Sequence, residues 1–320
     1  MGKSSGRKTV LSKDEPRIVS GDAPLTIRVG PPTLRVRDLG KELSFYEGQL
    51  GLRVLRRFND DTETGNLELI ELGFEKYPSG EDELPLLTLK HDPDARDAPQ
   101  DSAGLFHFAV LVPDRRSLAS TLVALEKSRA PFDGFADHLV SESLYLHDPE
   151  RNGIEIYRDR PHKDWLHDAR GHITMDTLPL DLQSVVEELT DHERRSATTF
   201  PSLARIGHIH LRVTDLQRSR AFYQEKLGLK LTADWSARGA DFLAFGDYHH
   251  HVGINTWQSL DGEPHIDGES GLEQIVLISP DRSQLDVLAT SLGKTVLERD
   301  QEEIVLTDPD GIRIVIKQSC

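Results

Sequence analysis

Cysteine is almost absent from this chain: Cys320 is the one thiol in 320 residues. That excludes an intramolecular disulfide and a thiolate zinc site, and it fits a reducing compartment. Basic residues are in deficit, 38 against 54 acidic ones, for a formal net charge of −16. Such a balance argues against nucleic acid or an anionic membrane as partner, because like charge repels. No apolar run approaches the roughly 20 residues that span a bilayer. The opening MGKSSGRKTVLSKDEPRIVSGD has basic residues but no apolar h-region of a secretory signal. Residues 1–24 read as a disordered tail. Aromatic content is low, 6% within 37% hydrophobic, which supports lean cores. A cytoplasmic protein of about two domains is expected, at roughly 150 residues each.

What the chain does have is repetition. LRVRDLGKELSFYEGQLGLRVL from Leu34 lies over LRVTDLQRSRAFYQEKLGLKLT from Leu211. GLFHFAVLVPDRRSL from Gly104 lies over GLEQIVLISPDRSQL from Gly271, and YLHDPERNGIEIY from Tyr145 over VLTDPDGIRIVI from Val305. Matches in the same order imply four related units, starting near residues 30, 104, 205 and 271. Aligned on the shared Gly-Ile, Glu155 falls on Arg313, so one copy of the last segment carries a carboxylate and the other does not.

Within each unit the apolar period switches from that of a strand to that of a helix. In HIHLRV, Ile209, Leu211 and Val213 alternate with His208, His210 and Arg212. Asp215 stands at a helix N-cap position, and Phe222, Tyr223 and Leu227 follow at helical spacing until Gly228. The same reading puts Phe106, Phe108 and Val110 under a helix with His107 on the opposite face, and sets Glu155 and Tyr157 opposite Ile154 and Ile156. Between the halves, residues 161–204 read as a connector, with a tryptophan-bearing loop (RPHKDW) and one helix over DLQSVVEELTDHERR.

The strand LRV, then DL…FY…LGL, closing on a DP turn and a final IE strand, resembles the vicinal oxygen chelate superfamily. DHLVSESLYLHDPERNGIEIYRDRP followed by Trp165, then GHIHLRVTDL and YHHHVGINTW, is similar to the catechol 2,3-dioxygenase type of two-domain extradiol enzyme. The resemblance implies an α+β fold of four βαβββ units in two tandem domains, over 25–160 and 205–318, with sheets curled round a metal cavity. It leaves a homo-oligomer open.

Metal ligands in that superfamily come from the first and last strands of a unit. First-strand candidates are Pro31, His107, His208 and Gln274; last-strand candidates are Glu155 and Arg313. Only His107, Glu155 and His208 can bind metal, with His210 a rival to His208 on the same face. A lone strand histidine is usually structural, but three such residues at matching positions favour a site. Because His107 and Glu155 belong to unit two and His208 opens unit three, these units are expected to share one cavity across the halves. Units one and four would form a cavity without metal. A triad of two histidines and one carboxylate suits Fe(II), and its N and O donors suit Mn(II) as well.

The resemblance also implies a catalytic tyrosine, Tyr145, ten residues before Glu155, and a substrate-contacting histidine, His138, although its spacing is slightly short. Strand alternation through His249-His250-His251 puts His249 and His251 with Asn255 and Trp257 toward the cavity, one of them as an acid/base. His91 would replace it if the halves did not cross-pair; His147, His162 and His167 are expected on the surface or connector. The implied reaction is extradiol cleavage of a small aromatic diol by O₂, giving a muconic semialdehyde. Two alternatives compete: glyoxalase- or epimerase-like enediolate chemistry, which usually uses more carboxylate, and a non-catalytic protein that binds an aromatic compound.

Overall fold

The computed structural model describes residues 27–60, 66–74, 85–201, 203–299 and 302–319. The expected tail over 1–24 lies outside the described residues. Four βαβββ units follow one another. Unit one holds β1 (Arg28–Val29), β2 (Thr33–Val36), α1 (Leu39–Gly48), β3 (Arg53–Asp60), β4 (Leu67–Gly73) and β5 (Pro85–His91). Unit two holds β6 (Gly104–Leu111), α2 (Arg115–Ser128), β7 (Phe132–Asp137), β8 (Ser141–His147) and β9 (Gly153–Asp159). A connector carries α3 (Leu182–Val186) and α4 (Asp191–Arg195). Unit three holds β10 (Arg205–Arg212), α5 (Leu216–Glu225), β11 (Lys230–Trp235), β12 (Ala240–Ala244) and β13 (Val252–Asn255). Unit four holds β14 (Gly271–Ser279), α6 (Arg282–Leu292), β15 (Val296–Arg299), β16 (Glu303–Thr307) and β17 (Arg313–Gln318).

Each unit helix starts the same way. Asp38, Asp114, Asp215 and Asp281 turn a carboxylate oxygen onto the backbone N–H three residues on, at 3.1, 2.8, 3.0 and 3.0 Å. That satisfies an N–H that has no partner inside the helix. The connector differs from its sequence reading: the one helix expected over 181–195 is two short ones. Thr190 restarts the chain with a capping box, bonding Glu193 N while the Glu193 carboxylate accepts from Thr190 N.

The sheets cross the halves. One runs β11-β12-β13-β10-β6-β9-β8-β7, uniting units three and two; the other runs β15-β16-β17-β14-β2-β5-β4-β3, uniting units four and one. The joins are antiparallel, β6 on β10 and β2 on β14. Each sequence half is tied differently, helix to turn. Tyr46 Oη donates to Asp148 Oδ2 at 2.9 Å, and Tyr223 Oη to Asp308 Oδ2 at 3.0 Å. One continuous apolar core includes Val36, Val110, Ile209 and Ile275, one from each unit.

Two sequence alignments shift. Asp148 Oδ1 accepts from the backbone N–H of residues 150 and 152, and Asp308 Oδ1 from those of residues 310 and 312. The turns are therefore equally long, and no gap belongs between them. Glu155 lies beside Ala109 and Val315 beside Val276, so the counterpart of Glu155 is Val315, not Arg313. Phe106 also moves: a register shift between His210 and Leu211 puts Leu105 into the core and leaves Phe106 on the concave side. A β-bulge does this by adding a residue to one strand, which breaks the alternation.

Candidate metal centre and its cavity

Three adjacent strands, β10, β6 and β9, carry the cluster. Across them, Ala109 pairs with Glu155 on one side and His208 on the other, while His107 sits two residues along β6 on the same face. The small Ala109 side chain leaves the space into which the three larger ones converge. His107 Nε2 and His208 Nε2 lie 2.9 and 3.0 Å from the same Glu155 Oε2, and 3.4 Å from each other. All three residues are buried. Donors about 2.1 Å from a common ion lie about 3.0–3.4 Å apart in octahedral or tetrahedral arrangement. The donor set therefore fits a divalent cation in both type and spacing.

Burial alone pushes the Glu155 carboxyl up, but the charge and hydrogen bonds of His208 and His107 outweigh it and hold it well below the usual range. Burial lowers His208 to about 4 despite the carboxylate beside it. An anionic carboxylate and neutral imidazole are the forms that ligate a metal. Ser143 Oγ donates to Glu155 Oε1 at 2.6 Å, which fixes the carboxylate and frees Oε2. His208 Nδ1 finds no acceptor among the described residues; its ring lies 4.0 Å from that of His250.

The cluster opens onto a cavity of about 560 Å³. His138 and Tyr145 stand together on its wall, with His138 Nε2 2.7 Å from Tyr145 Oη and Nδ1 2.8 Å from the Asp176 carbonyl oxygen. That carbonyl only accepts, so Nδ1 carries a proton, and in the neutral ring Nε2 accepts from the tyrosine. Burial, then the Glu155 charge, raises the Tyr145 phenol well above its usual value, so it stays protonated. Phe106, Phe242, Trp235 and Trp257 give apolar surface.

The histidine triplet is arranged differently from its sequence reading. It precedes β13 in a turn, where strand alternation does not apply, and His250 rather than His249 or His251 lines the cavity. His249 lies behind it, with Nδ1 2.7 Å from His250 Nδ1 and Nε2 2.8 Å from Asp159 Oδ1. His251 accepts from Phe245 N and packs on Tyr248, away from the cavity. His147 sits at the cavity rim rather than apart from it, 2.8 Å from Asp133. His91 pairs with Val36 in the other sheet, and His162 and His167 are exposed. The sequence weighed His210 only as a rival to His208 and gave no role to Arg212, Ser143 or Ala109. The alternation of HIHLRV carried the signal for His210 and Arg212, since it set both on the His208 face.

In the other sheet the positions of His208, His107 and Glu155 are held by Pro31, Gln274 and Val315, none of them a metal ligand in that setting. Its concave face carries ion pairs instead, Arg35 and Lys90 with Glu273, at 2.9 and 2.8 Å.

The chain matches the family model described as "Glyoxalase/Bleomycin resistance protein/Dioxygenase superfamily" over residues 28–156 and 205–316. It is 35% identical over 284 residues to the catechol-2,3-dioxygenase of Bacillus subtilis (strain 168), covering 88% of this chain and 93% of that one. Among solved structures, a Bacillus subtilis subsp. subtilis str. 168 protein superposes with a TM-score of 0.62 at 15% identity, over 92% of this chain and 86% of that one. Glyoxalase I from Zea mays superposes with a TM-score of 0.53 at 17% identity, over 92% of each chain. At such identities the structural likeness speaks to the fold alone. The family match spans most of the chain in the same two stretches that hold the paired units, and the chain belongs to the glyoxalase/bleomycin resistance protein/dioxygenase superfamily.

Proposed function

We propose that the chain is an extradiol dioxygenase, cleaving a catechol-type aromatic ring with O₂ beside a metal held by His107, His208 and Glu155. The observation that carries this is the convergence of those three donors at a cavity whose wall also holds the His138–Tyr145 pair. The 35% identity to a catechol-2,3-dioxygenase supports it. Fe(II) is the metal that suits both the donors and the chemistry, with Mn(II) as the alternative. When bound, the metal would lower the pKa of the diol and bring it next to O₂.

The chain's own residues then have these tasks. Ser143 holds Glu155 so that Oε2 faces the histidines. A ring hydroxyl in the cavity gives its proton to Tyr145 Oη while the tyrosine proton passes to His138 Nε2, which is already 2.7 Å away. His138 thus gains a proton that it can return to the opened ring. Phe106 and Trp257, with ring centroids 5.2 Å apart, exclude water and offer faces to the substrate ring. The acid/base role expected of His249 or His251 falls in this reading to His138, with His250 nearest the cluster on the opposite wall. Enediolate chemistry usually draws on a second carboxylate, and among the described residues Glu155 is the one acid that converges with the histidines.

Loading with Fe(II) under anaerobic conditions, followed by oxygen uptake on adding catechol, tests the reading. Uptake with a coloured ring-opened product is expected, and Glu155→Ala should lose both bound metal and at least about a thousandfold of the rate. Bound metal without uptake across a range of catechols would overturn it in favour of enediolate chemistry. Absence of bound metal would leave a binding protein.

A further inference from the structure

The two sheets treat one shared position, an arginine, in opposite ways. In the sheet of units one and four, Arg35 stands opposite Gly271; in that of units two and three, Arg212 stands opposite Gly104. Arg35 is neutralised twice. Glu273 accepts from its Nε and Nη2 at 2.9 and 3.1 Å, and Asp92 from its Nη1 at 2.7 Å. The register of the strands gives the counterparts of these acids directly. Glu273, two residues after Gly271, corresponds to Phe106, two after Gly104. Lys90 pairs with Arg35 as Asn255 pairs with Arg212, so Asp92 corresponds to Trp257. Around Arg212 both carboxylates have become aromatic rings.

Arg212 lines the cavity together with those two rings. It forms no ion pair within the described residues: its Nη1 donates to the Gln100 carbonyl oxygen at 3.1 Å, and its buried Nε has no partner there. Asn255, fully buried and in register beside it, likewise has an Nδ2 without an acceptor among the described residues. A half-buried guanidinium in an aromatic-lined cavity, with donors to spare, is costly unless an anion reaches it. His208 and Arg212 share a strand face four residues apart, about 13 Å at about 3.3 Å per residue. A catechol bearing a short acid arm, with a contact at each end, is of that order of length, so one substrate can reach both ends.

We propose that Arg212 makes this cavity specific for a catechol bearing an anionic substituent, a carboxylate on or one carbon away from the ring, with Phe106 and Trp257 against the ring itself. This rests on the extradiol reading for the diol end of the ligand and on the Arg212 surroundings for the acid end. The acid docks at the guanidinium, and the two hydroxyls then fall at the metal end of the cavity. A neutral catechol lacks that anchor.

The test compares 3,4-dihydroxyphenylacetate with 4-methylcatechol on the metal-loaded protein. Calorimetric titration without oxygen gives affinity, and oxygen uptake gives kcat/KM. A charge-assisted hydrogen bond to a buried partner corresponds to a preference of about tenfold to a hundredfold for the acid. In Arg212→Met that preference should collapse toward parity. In Phe106→Glu, which supplies the carboxylate that Arg35 already has, the acid should lose its advantage with Arg212 still present. Equal affinity for the two ligands in the unaltered protein, or a preference that survives in both variants, would overturn the proposal. No oxygen uptake with either diol, alongside an Arg212-dependent preference in calorimetry, would sink the extradiol reading and uphold the anion subsite.

Discussion

Glu155 and the histidines around it hold a distribution of charge that only a cation or a proton can complete. Two imidazole nitrogens, that of His208 neutral, and one carboxylate oxygen meet within 3.4 Å, in a place where burial opposes any net charge left unpaired. The neighbouring histidines are neutral too: burial holds His210 and His250 well below the usual imidazole value and His251 near 3. These shifts fix the direction of pH dependence. In the unfolded chain a histidine takes up its proton near about 6.5, whereas His208 folded waits until about 4. Between those values the unfolded state binds more protons, so stability is complete above the unfolded value and is lost as pH falls through this window. Glu155, held low, adds its loss at still lower pH. The metal-free protein is therefore expected to lose stability steadily from pH 6.5 to 4, by about 1.4 kcal/mol per pH unit for each such histidine, and its melting temperature with it. Thermal scans in a chelator would check it; a flat profile would mean that these rings are protonated in the folded state.

Among the elements, the helix-to-turn ties repeat with one informative difference. Both pairs use a tyrosine on the helix and an aspartate in the turn. Beside the first pair stands Glu42 on α1, whose Oε1 accepts from Glu150 N at 3.1 Å and whose buried Oε2 has no hydrogen-bond partner among the described residues. At the matching place on α5 stands Ser219, which donates to Asp310 at 2.7 Å. Burial, with Asp148 and Glu150 close by, raises Glu42 to about 9. Here the sign reverses. The folded chain keeps a proton that the unfolded chain releases above its ordinary value of 4.5, so this contribution is full in acid and is lost as pH climbs toward 9. Glu42→Gln mimics the protonated form. It is expected to match the parent protein at pH 4 and to melt higher at pH 8, which differential scanning calorimetry at both values would show. Destabilisation at pH 8 would mean that Glu42 is ionised and paired. Gly153 does its work at the same scale, because a Cβ there would come within 2.1 Å of the Phe106 carbonyl oxygen, between the strands that carry Glu155 and His107.

At the scale of the whole molecule, neither sequence half owns a complete sheet or the complete candidate metal cluster. His107 and Glu155 come from the first half and His208 from the second, joined through β6 and β10. The halves are also coupled within themselves by the tyrosine ties, so each sheet needs both halves and each half spans both sheets. Fragments 1–160 and 161–320 are thus expected to bind no metal separately and to recover binding when refolded together. Equilibrium dialysis against a divalent ion reads this directly. Metal retained by the first fragment alone would show that the third ligand is dispensable.

The sequence by itself determined the local parts: the four units from their repeats, their helix starts from Asp38 and its counterparts, and the face shared by His208 and His210 from period-two alternation. The resemblance carried by its motifs pointed to His107, Glu155, His208, Tyr145 and His138 as candidates, and their roles rest on that resemblance. What it could not determine depends on which strands lie side by side and in what register. The bulge that turns Phe106 into the cavity, the turn that brings His250 forward instead of His249, and the equal turn lengths that match Glu155 with Val315 are set by hydrogen bonds between distant segments. That Arg212 has no counter-ion among the described residues is decided the same way. The counterparts of the acids that pair with Arg35 are Phe106 on β6 and Trp257 just after β13, and only the sheet brings those positions beside Arg212. Side-chain alternation follows from the covalent chain, but register is a property of pairing, and pairing exists only once the sheet has closed.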